Sequence, residues 1–269
     1  MDVLPVEPLS PAAPQRRLAY DPRRPLLRPY APQASAFRSG ASTPRAFLEA
    51  RIETILRDEP AIAAFVVHDL DAARAAADRA TLRWREGRPL SAVDGMPFVV
   101  KDMIETADLP TQMNNPIFRG WHARRDAASV LALRQAGAIV LGKTVTTEFA
   151  CGNSGPTRNP YDTARTPGGS SSGSAASVGA GMACLGLGTQ THGSTIRPAG
   201  YCGAYALKAT HGALHVGGLA PLAPTLDHLG LIGASLEDVW AAAAAIGRRA
   251  GGTPPHPGIA GPETAPPPR

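Results

Sequence analysis

The chain has 269 residues, of which 43% are hydrophobic and 18% are charged, and its net charge is +5. This length and composition predict a soluble globular protein with a substantial hydrophobic core. The basic residues are almost all arginine and form no run of five or more, and only 5% of the residues are aromatic, so direct binding of nucleic acid is not indicated.

The N-terminus lacks the apolar stretch of a signal peptide, and no segment reaches the ~18 consecutive apolar residues of a membrane span. We therefore expect a cytoplasmic protein that contacts no membrane. The three cysteines, Cys151, Cys184 and Cys202, have no C-x-x-C spacing, so we expect small buried thiols rather than disulfides or a zinc site. No metal and no cofactor is expected.

The first elements follow from local signals. Residues 1–40 are rich in proline and arginine and predict an extended N-terminal arm. Thr43 followed by Pro44 predicts the start of a helix, because threonine caps a helix N-terminus and proline fits the first helical position. Residues 69–84 predict a second, alanine-rich amphipathic helix.

A strand–helix–strand pattern comes next. The apolar run 96–100 predicts a buried strand that ends at Lys101, residues 127–136 predict a helix, and residues 138–142 predict a second buried strand. This alternation predicts an α/β fold in which helices sandwich a mixed, mainly parallel central sheet.

The second half contains three more elements and a tail. Residues 172–180 predict a small-residue helix, residues 182–187 a third strand, and residues 235–246 a helix capped by Ser235. The proline- and glycine-rich end cannot bury enough apolar surface to fold alone. We therefore expect three regions: an arm (1–40), a main domain (41–250) and a tail (251–269).

Two glycine-rich turns carry serines, at residues 168–173 and at Gly193–Ser194. Glycines beside a serine allow backbone N–H groups to converge on a developing oxyanion, so Ser194 is a candidate nucleophile. The residues alone leave other interpretations open. The first turn could be a flexible linker, and the second could be a structural crossover after a strand.

The first turn also matches G-x-S-x-G from Gly169 to Gly173, with Asp227 and His228 downstream in the order of an α/β-hydrolase triad. A nucleophile elbow of that kind requires a strand directly before the serine. The preceding TRNPYDTARTP does not predict a strand, so we disfavour this interpretation.

Lys101 is the candidate base. At the end of a buried strand a lysine loses hydration, which lowers its pKa and allows it to accept a proton, whereas an arginine keeps its proton. The alternative is an ordinary solvated pair of Lys101 with Asp102.

These segments resemble the amidase signature family over roughly residues 45–260. The resemblance rests on GMPFVVKDMIETADLPT around Lys101, TRNPYDTARTPGGSSSGSAAS around Ser170 and GLGTQTHGSTIRPAGYCGAYALKATHG around Ser194. It implies the amidase-signature α/β fold, with a mixed, mainly parallel central sheet between helices. It also implies a Ser–cis-Ser–Lys triad in which Ser194 is acylated, Ser170 is the bridging cis-serine and Lys101 is the base. The oxyanion would be bound by four backbone N–H groups, those of Thr191, His192, Gly193 and Ser194.

Two departures from the family pattern affect this interpretation. His192 stands where the family commonly has glycine, and its side chain could narrow the acyl pocket, supply a second titrating group or simply lie exposed on the turn. Family members also usually continue well beyond this length, so we expect a chain truncated at its C-terminus that lacks part of the substrate pocket.

The resemblance implies hydrolysis of a small-molecule carboxylic amide to an acid and ammonia or an amine. One alternative is a catalytically inactive fragment that needs a complementing C-terminal half. Another is an amidotransferase A-type subunit that works with partner subunits on misacylated tRNA, a branch that usually carries DTGGS where this chain has QTHGST. A second copy of the chain and a complementing half are the protein partners left open.

Overall fold

A computed structural model describes residues 17–18, 21, 25–262 and 264. Within them the helices are α1 Gln33–Ser39, α2 Pro44–Ile62, α3 Leu70–Arg85, α4 Ala128–Gln135, α5 Ser172–Gly179, α6 Ile196–Tyr201 and α7 Leu236–Ala250. The strands are β1 Phe65–His68, β2 Pro97–Lys101, β3 Ile139–Thr144, β4 Leu185–Gln190, β5 Tyr205–Lys208 and β6 His228–Gly233. No helix in this part of the chain is long and apolar enough to cross a membrane.

The strands form one mixed sheet in the order β1-β3-β2-β4-β6-β5. Parallel pairing is confined to the centre, where β2 lies between β3 and β4. The outer pairs, β1 with β3, β4 with β6 and β5 with β6, are antiparallel. Because β2, β3 and β4 run in the same direction, their C-terminal ends meet at one edge of the sheet.

The expected α/β sandwich is confirmed, and alternation along β2 explains it. Phe98 and Val100 point into one apolar layer, where α4 and α7 pack, and Val99 points into the other, where α2, α3 and α5 pack. Successive side chains of a strand face opposite sides, so Lys101 shares the face of Val99, which α5 covers.

Local helix signals are confirmed in detail. Thr43 caps α2, and its Oγ1 accepts a hydrogen bond from the Ala46 N–H at 3.1 Å. Ser235 caps α7 through the Asp238 N–H, also at 3.1 Å.

The structure differs from the expected arm over its C-terminal part, whereas residues 1–16, 19–20 and 22–24 of the arm lie outside the described part of the chain. Tyr30 and Phe37 are buried in the core, and α1 forms between residues 33 and 39. The Asp238 carboxylate fixes this segment by accepting the Tyr30 and Ala31 N–H groups at 2.9 and 2.8 Å.

Three further differences are local. The predicted strand 182–187 is observed three residues later, as β4, because the Met182 N–H still donates to the Ser177 carbonyl of α5, at 2.9 Å. The tail packs on α7, where Trp240 donates to the Pro262 carbonyl at 2.9 Å. Cys151 is exposed, so the expectation of a buried thiol is wrong there, whereas Cys184 and Cys202 are buried.

Candidate active site

Lys101 ends β2 and is fully buried. Its Nζ lies 2.7 Å from the Ser170 Oγ and 2.7 Å from the Thr189 Oγ1. Burial lowers the pKa of Lys101 to about 7, and the negative charge of Asp227 opposes that shift only in part. The solvated-pair interpretation of Lys101 is therefore wrong, and the amine is poised to exchange a proton near neutral pH.

Asp102, the next residue, pairs with a different lysine. Its Oδ1 lies 3.1 Å from the Lys143 Nζ, and both side chains are fully buried. The Lys143 Nζ also donates to the Pro110 carbonyl and to the Thr111 Oγ1, at 2.9 and 2.7 Å. The Asp102 carboxylate thus compensates the charge of Lys143, and among the described residues no carboxylate is in direct contact with Lys101.

The serine-rich turn is ordered, and the Gly169–Ser170 peptide bond is cis, as the resemblance implies. The Ser170 carbonyl accepts the Thr147 N–H at 3.2 Å, and the Val145 carbonyl accepts the Gly173 N–H at 2.9 Å. A Cβ on Gly173 would lie 2.2 Å from the Ala64 carbonyl oxygen, so only glycine permits this approach. These contacts with the loop after β3 rule out a flexible linker.

The second turn, residues 191–194, connects β4 to α6 and is held from both ends. The Gln190 Oε1 accepts the Thr195 and Ile196 N–H groups at 2.9 and 3.0 Å. The Thr191 hydroxyl donates to the Asp227 Oδ1. The other Asp227 oxygen accepts two backbone N–H groups, those of Leu222 and Ala223, at 2.8 and 2.9 Å.

The two turns contact each other directly through the backbone. The Ser171 N–H donates to the Ser194 carbonyl at 3.1 Å. The Ser171 Oγ also contacts the Thr189 backbone, 3.3 Å from both its N and its O. The sheet edge therefore brings Lys101, Ser170 and the Ser194 turn into one connected cluster.

Four backbone N–H groups near Ser194 remain unused. Over the described residues, the N–H groups of residues 191–194 donate to no protein acceptor. Ser194 is half-buried and His192 is exposed, which agrees with the interpretation of His192 as an exposed turn residue. A cavity of ≈ 260 Å³ lies beside Asp102, but Lys101, Ser170 and Ser194 do not line it. Free donors beside a partly accessible hydroxyl can receive a negatively charged oxygen.

The disfavoured elbow is excluded by the partners of its residues. Ser171, its central serine, is bonded to the backbone of β4, and Asp227 holds Thr191. The His228 Nδ1 lies 2.7 Å from the Leu226 carbonyl. No serine–histidine–aspartate relay is assembled from these groups.

Sequence reasoning missed two residues of the candidate site. These are Thr189, which contacts the Lys101 Nζ, and Asp227, which contacts the Thr191 hydroxyl. Thr189 lies outside the predicted strand 182–187. The one sequence signal for a longer strand was GLGTQ, in which glycines alternate with other residues and which forms the rest of β4. The sequence suggested Asp227 only as a partner of His228. In the structure the Asp227 carboxylate instead accepts hydrogen bonds from two N–H groups of the loop that precedes it.

Comparison with known proteins gives one family and several relatives. The Amidase family model matches residues 46–258. The A-type subunit of glutamyl-tRNA(Gln) amidotransferase from Anaeromyxobacter sp. (strain K) is 40% identical over 197 residues, which cover 71% of this chain and 40% of the relative. AtzE, the 1-carboxybiuret hydrolase subunit of Pseudomonas sp. (strain ADP), is 39% identical over 206 residues, 74% of this chain and 45% of the relative.

A solved structure agrees with these sequence relatives. The native peptide amidase from Stenotrophomonas maltophilia superposes with a TM-score of 0.75 at 31% identity, covering 82% of this chain and 47% of that chain. The chain therefore spans less than half the length of each of these three relatives.

Proposed function

The chain belongs to the amidase family, and from that premise we propose that it hydrolyses a carboxylic amide to an acid and ammonia or an amine through an acyl-enzyme at Ser194. The observation that carries the proposal is the 2.7 Å hydrogen bond between the buried Lys101 Nζ and the Ser170 Oγ. A depressed-pKa amine thus contacts the Ser170 hydroxyl, and the next residue, Ser171, donates its N–H to the Ser194 carbonyl, which supports Ser170 as the bridging serine.

Lys101 is the base in this proposal. A neutral amine has two N–H donors and one lone pair. The Thr189 Oγ1 accepts one N–H, which orients Nζ so that its lone pair can receive the Ser170 proton. A protonated Lys101 is then stabilised by the negative charge of Asp227, which favours the charged form.

Acylation follows from these positions. The Ser194 Oγ attacks the amide carbon while its proton passes to the Ser170 Oγ and the Ser170 proton passes to the Lys101 Nζ. The negative oxygen of the tetrahedral intermediate is received by the free N–H groups of residues 191–194. When the C–N bond breaks, Ser170 returns a proton to the leaving nitrogen and Lys101 reprotonates Ser170.

Deacylation repeats the sequence with water. The same relay takes a proton from a water molecule, whose oxygen attacks the Ser194 ester. The C–O bond to Ser194 then breaks, Ser194 regains its proton, and the carboxylic acid leaves.

A fluorophosphonate probe tests the proposal. We expect it to add mass to Ser194 in the folded chain, to fail with Ser194→Ala and to react slowly with Lys101→Met. A chain that is folded, as judged by circular dichroism, and shows no labelling at any pH between 6 and 9 would sink the active-hydrolase proposal.

An amidotransferase A-type subunit is the second candidate, favoured by the 40% identity to the corresponding subunit of a glutamyl-tRNA(Gln) amidotransferase. Such a subunit works with partner chains, so affinity purification from the source cells should recover stoichiometric partner subunits. Recovery of the chain alone, with ammonia released from free amides, would remove this candidate.

A catalytically inactive fragment is the third candidate, and the 40% coverage of that same relative supports it. It predicts a chain that acquires Ser194 labelling only when a polypeptide corresponding to the remaining part of an amidase is added. Labelling of the purified chain by itself contradicts it.

A further inference from the structure

A cavity of ≈ 260 Å³ opens beside the C-terminal ends of β2 and β3. Its apolar walls are formed by two valines and two prolines, Val66, Val145, Pro116 and Pro156. Lys101, Ser170 and Ser194 do not line it, so the cavity is separate from the serine cluster. A space of this size, with apolar walls and a few polar groups, suits a small molecule with an apolar part and a polar end.

One polar wall of the cavity is the side-chain amide of Gln112, which is only 7% exposed. Its Oε1 accepts the Gly120 N–H at 2.8 Å. Its Nε2 donates to no acceptor among the described residues, yet this nitrogen is not closed off from solvent. Buried amide nitrogens usually have a hydrogen-bond partner. The cavity that Gln112 lines is therefore the space in which a ligand can supply that partner.

Asn114 brings a second amide to the cavity wall. Its side chain forms no hydrogen bond within the described part of the chain, and its Nδ2 lies 3.6 Å from the position of a Cβ on Gly155. That Cβ would lie 2.3 Å from the Val145 Cγ1, so glycine keeps this side of the cavity open. Met113 and Asn114 both have positive φ, 56° and 52°, a strained conformation that is concentrated at ligand-binding and active sites.

The charges around the cavity are balanced. The Asp102 carboxylate lines it and is paired with the Lys143 Nζ at 3.1 Å. Arg119 also lines it, is exposed, and pairs with no carboxylate of the described residues. An anionic ligand would lie near the negative Asp102, and a cationic ligand near the positive Arg119, so each would meet a like charge. The lining therefore favours a neutral ligand.

We propose that this cavity is a second, non-catalytic binding site for small primary carboxamides with a short apolar chain. The carbonyl oxygen of the ligand accepts a hydrogen bond from the Gln112 Nε2, and its NH₂ group donates to the Asn114 Oδ1. The apolar chain packs against the valines and prolines of the wall. This inference goes beyond the proposed function, because binding in the cavity needs no reaction at Ser194.

A cavity that holds only solvent is the competing explanation. The two explanations differ in ligand selectivity. A solvent-filled cavity has no preference among small molecules of equal length. A carboxamide site prefers the neutral amide to an anion or a cation with the same chain, and it loses this preference when Gln112 or Asn114 is replaced.

The test is an NMR titration of the Ser194→Ala protein, in which hydrolysis cannot consume the ligand. The probes are butyramide, butyrate and butylamine, which share a four-carbon chain and differ in charge. The readout is the side-chain ¹H–¹⁵N resonances of Gln112 and Asn114, which report on the cavity itself. We expect butyramide to shift both resonances, and butyrate and butylamine to bind about tenfold more weakly or not at all.

Three variants in the same background localise the binding, and circular dichroism verifies that each is folded. Val66→Phe fills the cavity and should abolish the shifts, whereas His68→Phe, an exposed residue of the same strand that does not line the cavity, should retain them. Gln112→Met removes one hydrogen bond and should weaken butyramide binding about tenfold, as seen at Asn114. It serves as the decisive variant if Val66→Phe does not fold.

Equal shifts with all three probes, or unchanged butyramide binding in both Val66→Phe and Gln112→Met, overturn the carboxamide site. The fluorophosphonate probe reports separately on the proposed function in the wild type. Selective shifts in a protein that resists the probe leave the cavity site standing while the proposed function fails. Labelling of Ser194 without selective shifts gives the reverse result.

Discussion

Replacing Lys101 with methionine should stabilise the folded protein while it removes the proposed base. Lys101 is fully buried, and its pKa falls from the ordinary value of 10.5 to about 7. A shift of this size corresponds to about 5 kcal/mol of destabilisation when the amine is protonated in the unfolded chain. Methionine has a similar length and no charge to bury.

The gain is smaller than that figure because Lys101 also makes hydrogen bonds. Methionine leaves the hydroxyls of Ser170 and Thr189 without their donor, which costs about 1–3 kcal/mol in total. We therefore expect Lys101→Met to be more stable than the wild type by about 2–4 kcal/mol at pH 6.5.

The sign of the pH dependence follows from the depressed pKa. Between pH 7 and 10.5 the unfolded chain binds more protons than the folded one, so the stability of the wild type rises with pH. Below pH 7 the penalty is present in full. The advantage of Lys101→Met should thus be greatest below pH 7 and shrink as the pH rises to 10.

Urea unfolding at pH 6.5, 8 and 9.5 measures this difference, with Lys208→Met as the control for removing an exposed lysine. A difference between the wild type and Lys101→Met that stays constant with pH would refute the reasoning, as would a less stable variant at pH 6.5.

Three further predictions concern the surroundings of Lys101. Asp102→Asn leaves the buried Lys143 unpaired and should lower the free energy of unfolding, measured in urea, by about 3–5 kcal/mol. The double change Asp102→Leu/Lys143→Met should recover most of that loss, and equal losses in the two variants would contradict this. Gly173→Ala places a Cβ 2.2 Å from the Ala64 carbonyl and should destabilise by about 3 kcal/mol, unlike Gly200→Ala, where nothing lies within 4 Å. Asp227→Asn removes the charge that raises the pKa of Lys101, so the acidic limb of the labelling rate should move to lower pH; a shift to higher pH would count against the assignment.

The sequence predicted best the features that depend on neighbouring residues. The caps at Thr43 and Ser235 are local hydrogen bonds, so a few residues determine them. The lysine and the first serine of the candidate site were placed by motif, and their 2.7 Å contact agrees with that placement.

What escaped prediction depends on distant parts of the chain. The segment around Tyr30 folds because Asp238, far along the chain on α7, accepts its N–H group. The partner of Asp102 is Lys143 on the neighbouring strand. The sequence suggested Lys101 instead, because Lys101 is adjacent to Asp102 in the chain. The limits of β4 were missed because a continuous apolar run does not distinguish paired residues from buried residues that precede the strand.

The position of β2 has a consequence for the protection of the site against local opening. β2 is hydrogen-bonded on both sides, by β3 and β4, and its residues are fully buried. Central strands of this kind exchange their amide hydrogens only through opening that approaches global unfolding, whereas unpaired N–H groups exchange readily. Lys101, the proposed base, is therefore held in a slowly opening part of the described fold. The N–H groups of residues 191–194, which have no acceptor among the described residues, form the fast-exchanging side of the same site.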